Sequence, residues 1–300
     1  MIPQTHTLGH ILSLCTILLW GTTFISTKVL LRDFSPIEIL FFRFILGYLA
    51  LLAACPRLLH TQGDRRERIR QELCFAGAGL CGVTLYFLME NIALQYTFAS
   101  NVGVIVSISP FLTALLAHFF LKKERLTRRF LFGFAVAISG IILISLNGNF
   151  VLRLNPLGDI LAALAALVWA FYSILMVKIG QFHYPNLLCT RRIFLWGLIF
   201  MIPALFVFDV RVELERFSQM TNLLNILYLG LGASALCFAS WNWAVKILGA
   251  VKTSVYIYMV PVVTIISAAI ILKEQLTFIS IIGTLLTLTG LFLSENRSKA

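Results

Sequence analysis

A few charged side chains stand where charges are costly, inside or at the ends of long apolar runs. Lys28 ends the run LLWGTTFISTK, Arg43 interrupts SPIEILFFRF, and Glu90 is the carboxylate set well inside an apolar stretch. A buried carboxyl beside cations can hold a proton, form a structural ion pair, or hold a solute, because desolvation and nearby positive charge pull its ionisation in opposite directions. Two readings of Glu90 stay open on the residues alone: proton coupling, or a structural or gating pair with Arg43 or Lys28. A second basic group, Arg191 and Arg192 with Lys178 shortly before, has no acid opposite it in the sequence and is expected to meet lipid headgroups.

Uncharged polar and aromatic residues gather around the same positions. Trp20, Thr23, Phe24, Thr27 and Lys28 recur at i, i+3, i+4, i+7 and i+8, which is one face of a helix, and Trp169, Tyr172 and Ser173 form a similar face later in the chain. Lipid is a poor partner for such faces, so both are expected to line an interior. Pro110 and Pro261 lie within apolar runs, where each removes an N–H and frees a carbonyl, on Val106 and Ile257. A freed carbonyl in a bilayer needs a partner or a wet cavity. Asn91, Asn101, Ser109, Trp241, Asn242, Tyr256 and Tyr258 lie near enough in sequence to build an amphipathic pocket of aromatic walls and a few polar fixing groups. About half of these are expected to bond across packed helices instead.

Long helices in lipid must position these groups. With 59% hydrophobic and 12% charged residues and a mean hydropathy of +0.92, the chain carries too much apolar surface for a soluble globule. A spanning helix needs roughly 20 mostly apolar residues, and ten such segments fit: 8–30, 36–54, 73–94, 98–121, 130–146, 157–178, 185–207, 223–245, 253–272 and 277–294. The longest connections, 55–72 and 208–222, are too short to form a soluble catalytic or nucleotide-binding domain. The first run lacks a basic flank and exceeds a signal-peptide core, so it is expected to be retained.

The net charge of +11 sorts by loop rather than over one face. With a cytoplasmic N-terminus, fifteen Lys and Arg fall inside, mostly in 55–72 and 122–129, against five outside at Arg32, Arg153, Arg211, Arg216 and Lys273. The positive-inside rule therefore places both termini in the cytoplasm, with anionic lipid rather than nucleic acid as the partner of the basic loops. Lys28, Arg43 and Glu90 then lie at similar depth, Arg43 about two turns or roughly 10 Å from the outer face. They are expected to face one another as an outer charge cluster, with Lys28 turned inward or snorkelling rather than facing lipid.

The chain also repeats itself over about 150 residues. Trp20 aligns with Trp169, Pro36 with Pro185, Arg43 with Arg192, Asn91 with Asn242, Pro110 with Pro261, and Gly133 and Gly140 with Gly283 and Gly290. The partner of Glu90 is Trp241, which does not titrate. Each half holds five spans, an odd number, so the second half enters from the opposite side. The expected fold is an all-α polytopic membrane protein of ten helices, in two inverted five-helix repeats over 1–148 and 149–300.

WGTTF with its following lysine, the proline-centred SPF and VPV segments, the KKERLT and KEQLT ends and the duplicated plan together resemble the EamA-like transporters of the drug/metabolite transporter superfamily. The resemblance covers nearly the whole chain. It implies a secondary carrier for a small metabolite, an amino acid or a relative, exported across a bacterial inner membrane by alternating access. Helix dipoles, Arg43 or Asn side chains would fix a carboxylate and aromatic walls an apolar side chain. No metal or cofactor is expected: the six cysteines show no CxxC pair, and no His cluster has ligand spacing. A membrane enzyme acting on lipid would need a nucleophile with a base, a metal cluster or paired carboxylates, none of which the loops supply. A channel-like facilitator is the other alternative.

Overall fold

The computed structural model describes residues 3–121, 128–146, 156–208, 210, 213–274 and 277–294. Apolar runs without water must satisfy their backbone groups internally, and these do so as helices: α1 (Pro3–Leu30), α2 (Pro36–Ala54), α3 (Arg65–Tyr96), α4 (Ala99–Leu121), α5 (Arg128–Leu146), α6 (Pro156–Gly180), α7 (Asn186–Val207), α8 (Met220–Leu248), α9 (Ala250–Leu272) and α10 (Phe278–Ser294). Eight are long and apolar enough to cross a bilayer, and α5 and α10 contain the shorter apolar segments Leu131–Gly140 and Ile281–Gly290. No strand occurs among the described residues. The protein is an all-α, multi-pass membrane protein.

The ends of the helices follow local chemistry. Ser35 and Glu38 form a capping box at α2, with Pro36 in the first turn. The third helix starts eight residues earlier than its apolar run, at Arg65, because Asp64 caps it by accepting from Glu67 N at 2.7 Å. Part of the basic connection 55–72 is therefore helix. Lys122, Lys123, Arg125, Arg153, Arg211, Arg297 and Lys299, with the whole of KKERLT and part of KEQLT, lie outside the described residues.

Corresponding helices of the two halves meet in reciprocal ways. Helices α5 and α10 cross antiparallel: Gly140 lies against Gly283 O and Thr287, and Gly290 against Gly133 O and Ala137. A Cβ on Gly290 would come 2.8 Å from Ala137 Cα, so the close approach requires glycine. Such antiparallel pairing of equivalent helices is what an inverted repeat demands. Both α3 and α8 contain a π-helical stretch, Leu80–Leu85 and Tyr228–Leu236, again about 150 residues apart. The residue before the first, Gly79, packs on the α7 backbone at Ile193 and Gly197, while Gly230 within the second packs on α2 at Arg43 O and Leu46. At the centre, aromatic pairs from equivalent parts of the two halves touch: Trp20–Trp169 at 5.3 Å, Phe44–Phe194 at 4.9 Å and Phe87–Phe238 at 6.0 Å between centroids.

The proline segments differ from the expectation of free carbonyls. In α4 the helix breaks at Ser107–Ile108 and restarts at Ser109, with Pro110 at its second position. Val106 O accepts from Ser109 Oγ at 2.6 Å. In α9 a 3-10 turn, Val255–Met259, precedes Pro261, and Ile257 O accepts from Val260 N. Both carbonyls are satisfied locally, by a hydroxyl in one half and a tighter turn in the other.

Candidate functional site: a central aromatic cavity with one carboxylate

A small cavity, with about 30 Å³ open to a water-sized sphere, lies between α1, α3, α4, α6 and α9, lined by Trp20, Thr23, Phe24, Tyr86, Phe87, Glu90, Val106, Ser109, Trp169, Ile257 and Val260. Six of the lining residues are among those expected from sequence: Trp20, Thr23, Phe24, Glu90, Ser109 and Trp169. Tyr86 and Phe87 complete its walls. The Trp20 ring meets Trp169 edge-on, and Tyr86 lies 4.9 Å from Trp169. Trp20 is fixed by donating from Nε1 to Ala233 O at 2.9 Å, in the π-helical part of α8. A π turn leaves carbonyls free of the usual ladder, and this one receives the indole.

Glu90 is 1% exposed, and its Oε1 has no hydrogen-bond partner. The Tyr86 side chain stands one turn before it on α3, within electrostatic reach of the same carboxylate. Thr23 Oγ1 donates to Trp20 O at 2.7 Å and Ser109 Oγ to Val106 O, so both hydroxyl protons are used by backbone.

Arg43 does not line the cavity. Its side chain is fully buried, with Nε donating to Ser234 Oγ at 3.0 Å and the guanidinium over Phe87 at 4.3 Å and Phe44 at 5.3 Å. Neither terminal nitrogen has a hydrogen-bond partner, so Arg43 and Glu90 feel each other's charge without a contact pair. Lys28 lies elsewhere again: Nζ donates to Leu94 O at 2.5 Å and Thr97 O at 2.7 Å, capping the C-terminus of α3. The expected outer cluster of Lys28, Arg43 and Glu90 therefore does not form. Arg43 has a hydroxyl and two rings as partners, and Lys28 a helix end. Across the same mouth, Glu274 accepts from Ala99 N, Ser100 N and Ser100 Oγ, capping α4.

Most remaining candidates hold helices together. Asn91 donates to Pro36 O at 3.0 Å. Asn242 accepts from Tyr172 at 2.6 Å and donates to Thr190 at 3.0 Å, joining α6, α7 and α8. Asn101 donates to Thr97 Oγ1 within its own turn. Trp241 is buried behind Trp20 at 5.0 Å. Tyr256 meets His10 Nδ1 at 2.7 Å, and Tyr258 is half-buried outside the cavity lining. At the opposite end, the expected lipid-facing arginines have protein partners. Arg192 pairs with Glu72 at 2.8 Å, Glu72 also accepts from Trp196 Nε1, and Arg191 caps α2 through Cys55 O and Arg57 O.

Among the described residues no group of His, Cys, Asp and Glu is arranged to hold a metal ion. The cavity offers binding chemistry: aromatic faces and one carboxylate.

The family model for EamA-like transporters matches the chain twice, over residues 7–146 and 156–295. An uncharacterised transporter of Archaeoglobus fulgidus is 29% identical, over 95% of this chain and 96% of that one. A probable amino-acid metabolite efflux pump of Salmonella typhimurium is 28% identical over 94% and 93%, and a probable terminal-alkyne amino-acid exporter of Streptantibioticus cattleyicolor 26% over 94% and 92%. A crystal structure shares the fold, with a TM-score of 0.67 at 19% identity over 95% of this chain and 96% of that one. With both halves matched and relatives that are transporters along their whole length, the chain belongs to the EamA-like transporter family.

Proposed function

We propose that this protein is a secondary carrier that exports an amino acid or a related small metabolite across the cell membrane by alternating access. The observation that carries the reading is the central cavity, walled by Trp20 from the first half and Trp169 from the second. A site at the junction of two inverted halves is exposed to either side as the halves rock. Residues 1–148 and 149–300 are the two bodies of that motion. The termini lie in the cytoplasm, following the bias of Lys and Arg among the loops. Relatives named for amino-acid export support the solute class and the direction.

Counterflow in proteoliposomes tests this. Vesicles are preloaded with one unlabelled amino acid at a time, and entry of the same labelled compound is followed against protein-free vesicles. Transient, saturable accumulation is expected for one class of amino acid. Non-saturating flux would indicate a pore, and flat traces across a broad panel would remove the amino-acid reading.

A further inference from the structure

We propose that the cavity grips its solute by a cationic group, an ammonium docked on Glu90 between the aromatic walls, and not by a carboxylate. The proposal rests on the carrier reading above and specifies which end of the solute the protein holds.

The lining polar groups point one way. Glu90 presents a buried carboxylate oxygen with no partner. The hydroxyls of Thr23 and Ser109 have given their protons to backbone carbonyls, so only oxygen lone pairs face a ligand. The Tyr86 hydroxyl stands one turn from Glu90 and within electrostatic reach of it. Trp169 Nε1 is the lining N–H without a partner. One indole donor is a thin match for a carboxylate, which accepts at two oxygens. It leaves the acceptors of Glu90, Thr23 and Ser109 in excess.

Among the described residues no basic side chain lines the space. Arg43, the cation that acts on Glu90, is held by Ser234 and stacked over Phe87 and Phe44. It supplies counter-charge at a distance while leaving the buried carboxylate oxygen without a partner. The walls add to this selectivity, since the faces of Trp20, Tyr86, Phe87 and Trp169 attract a cation and repel an anion. A buried carboxylate needs a partner of opposite charge or a hydrogen-bond donor, and an ammonium supplies both.

The test is ligand binding to the purified full-length protein, read by thermal stabilisation and tryptophan fluorescence and paired with counterflow. The probes share one phenyl ring: 2-phenylethylamine and L-phenylalanine amide carry only the ammonium, L-phenylalanine both charges, and hydrocinnamate and N-acetyl-L-phenylalanine only the carboxylate. The amine and the amide are expected to bind within a few-fold of the zwitterion, and the two carboxylates at least tenfold more weakly. Glu90→Gln should weaken the ammonium compounds at least tenfold, and Glu90→Asp should recover part of the loss. Because the probe series reads the preference on the unaltered protein, a variant that fails to fold does not blunt the test. Carboxylates that bind as well as amines, or a folded E90Q protein with unchanged affinity for the amines, would overturn the ammonium assignment and leave the carrier reading standing. If no probe binds and counterflow is flat for every amino acid, the carrier reading falls and the assignment falls with it.

Discussion

Replacing Lys28 by methionine keeps most of the apolar stem and removes the ammonium, with its two hydrogen bonds to Leu94 O and Thr97 O and its attraction to Glu274. Hydrogen bonds from a charged group contribute about 1.5–3 kcal/mol each, which sets an upper bound of about 3–6 kcal/mol. Lys28 is half-buried beside an open mouth lined by Leu94, Phe98 and Glu274, so water can reach the abandoned carbonyls. Roughly halving the bound for that water leaves about 1.5–3 kcal/mol. At this chain length each kcal/mol shifts the melting temperature by about 2 °C, giving a fall of about 3–6 °C. The assay is thermal unfolding of the purified protein followed by intrinsic tryptophan fluorescence, with Lys28→Arg as the control that keeps donors and charge. A Lys28→Met protein that melts within about 1 °C of the parent would refute the capping role, as would an arginine variant as unstable as the methionine one.

Other perturbations follow from contacts already described. Gly290→Ala should push α10 off Ala137 and cost about 1–3 kcal/mol, since the obstacle is backbone that no rotamer change relieves; thermal unfolding reads the loss, and ligand affinity measured on the folded fraction should be unchanged. Ser109→Ala removes the donor to Val106 O at the break in α4 and should cost about 1–2 kcal/mol, and Ser109→Thr, which retains the hydroxyl, should recover most of it in the same assay. Arg192→Gln breaks the ion pair with Glu72, but both side chains are partly exposed (32% and 25%), so stability should fall by no more than about 1 kcal/mol and the loss should shrink in high salt.

Helix positions were legible because hydropathy alone marks a run long enough to span, and the ten apolar runs correspond one to one with the ten helices. The repeat was legible from Trp, Pro, Asn and Gly at constant separation, and the Trp20–Trp169 contact follows from it. Tyr86 was within reach of the same reasoning, since it stands four residues before Glu90 on one helix face. It was missed because charge drew attention to Glu90 alone. Other partners were hidden by distance in the chain: Lys28 bonds to carbonyls 66 and 69 residues away, and Arg43 to a serine 191 residues away. Backbone acceptors leave no mark in residue types. The π-helical stretches add a further obstacle. Each alters the residues per turn within α3 or α8, so spacing counted along the sequence misjudges which residues face the cavity beyond it. Asn91 and Asn242, near the cavity in sequence, bond to neighbouring helices instead.

The antiparallel crossing of α5 and α10 would also limit the proposed rocking of the halves. Its two close approaches, Gly133 with Gly290 and Gly140 with Gly283, are seven residues apart on each helix, about 10 Å along the axis. Sliding one helix along the other would drive a larger side chain onto backbone at both points together. Turning about the crossing point meets no such obstacle. In the proposed rocking the seam would remove one degree of freedom and keep another, as a hinge pin fixed at two heights does, and strain from a moving half would be borne there, away from the helices that line the cavity.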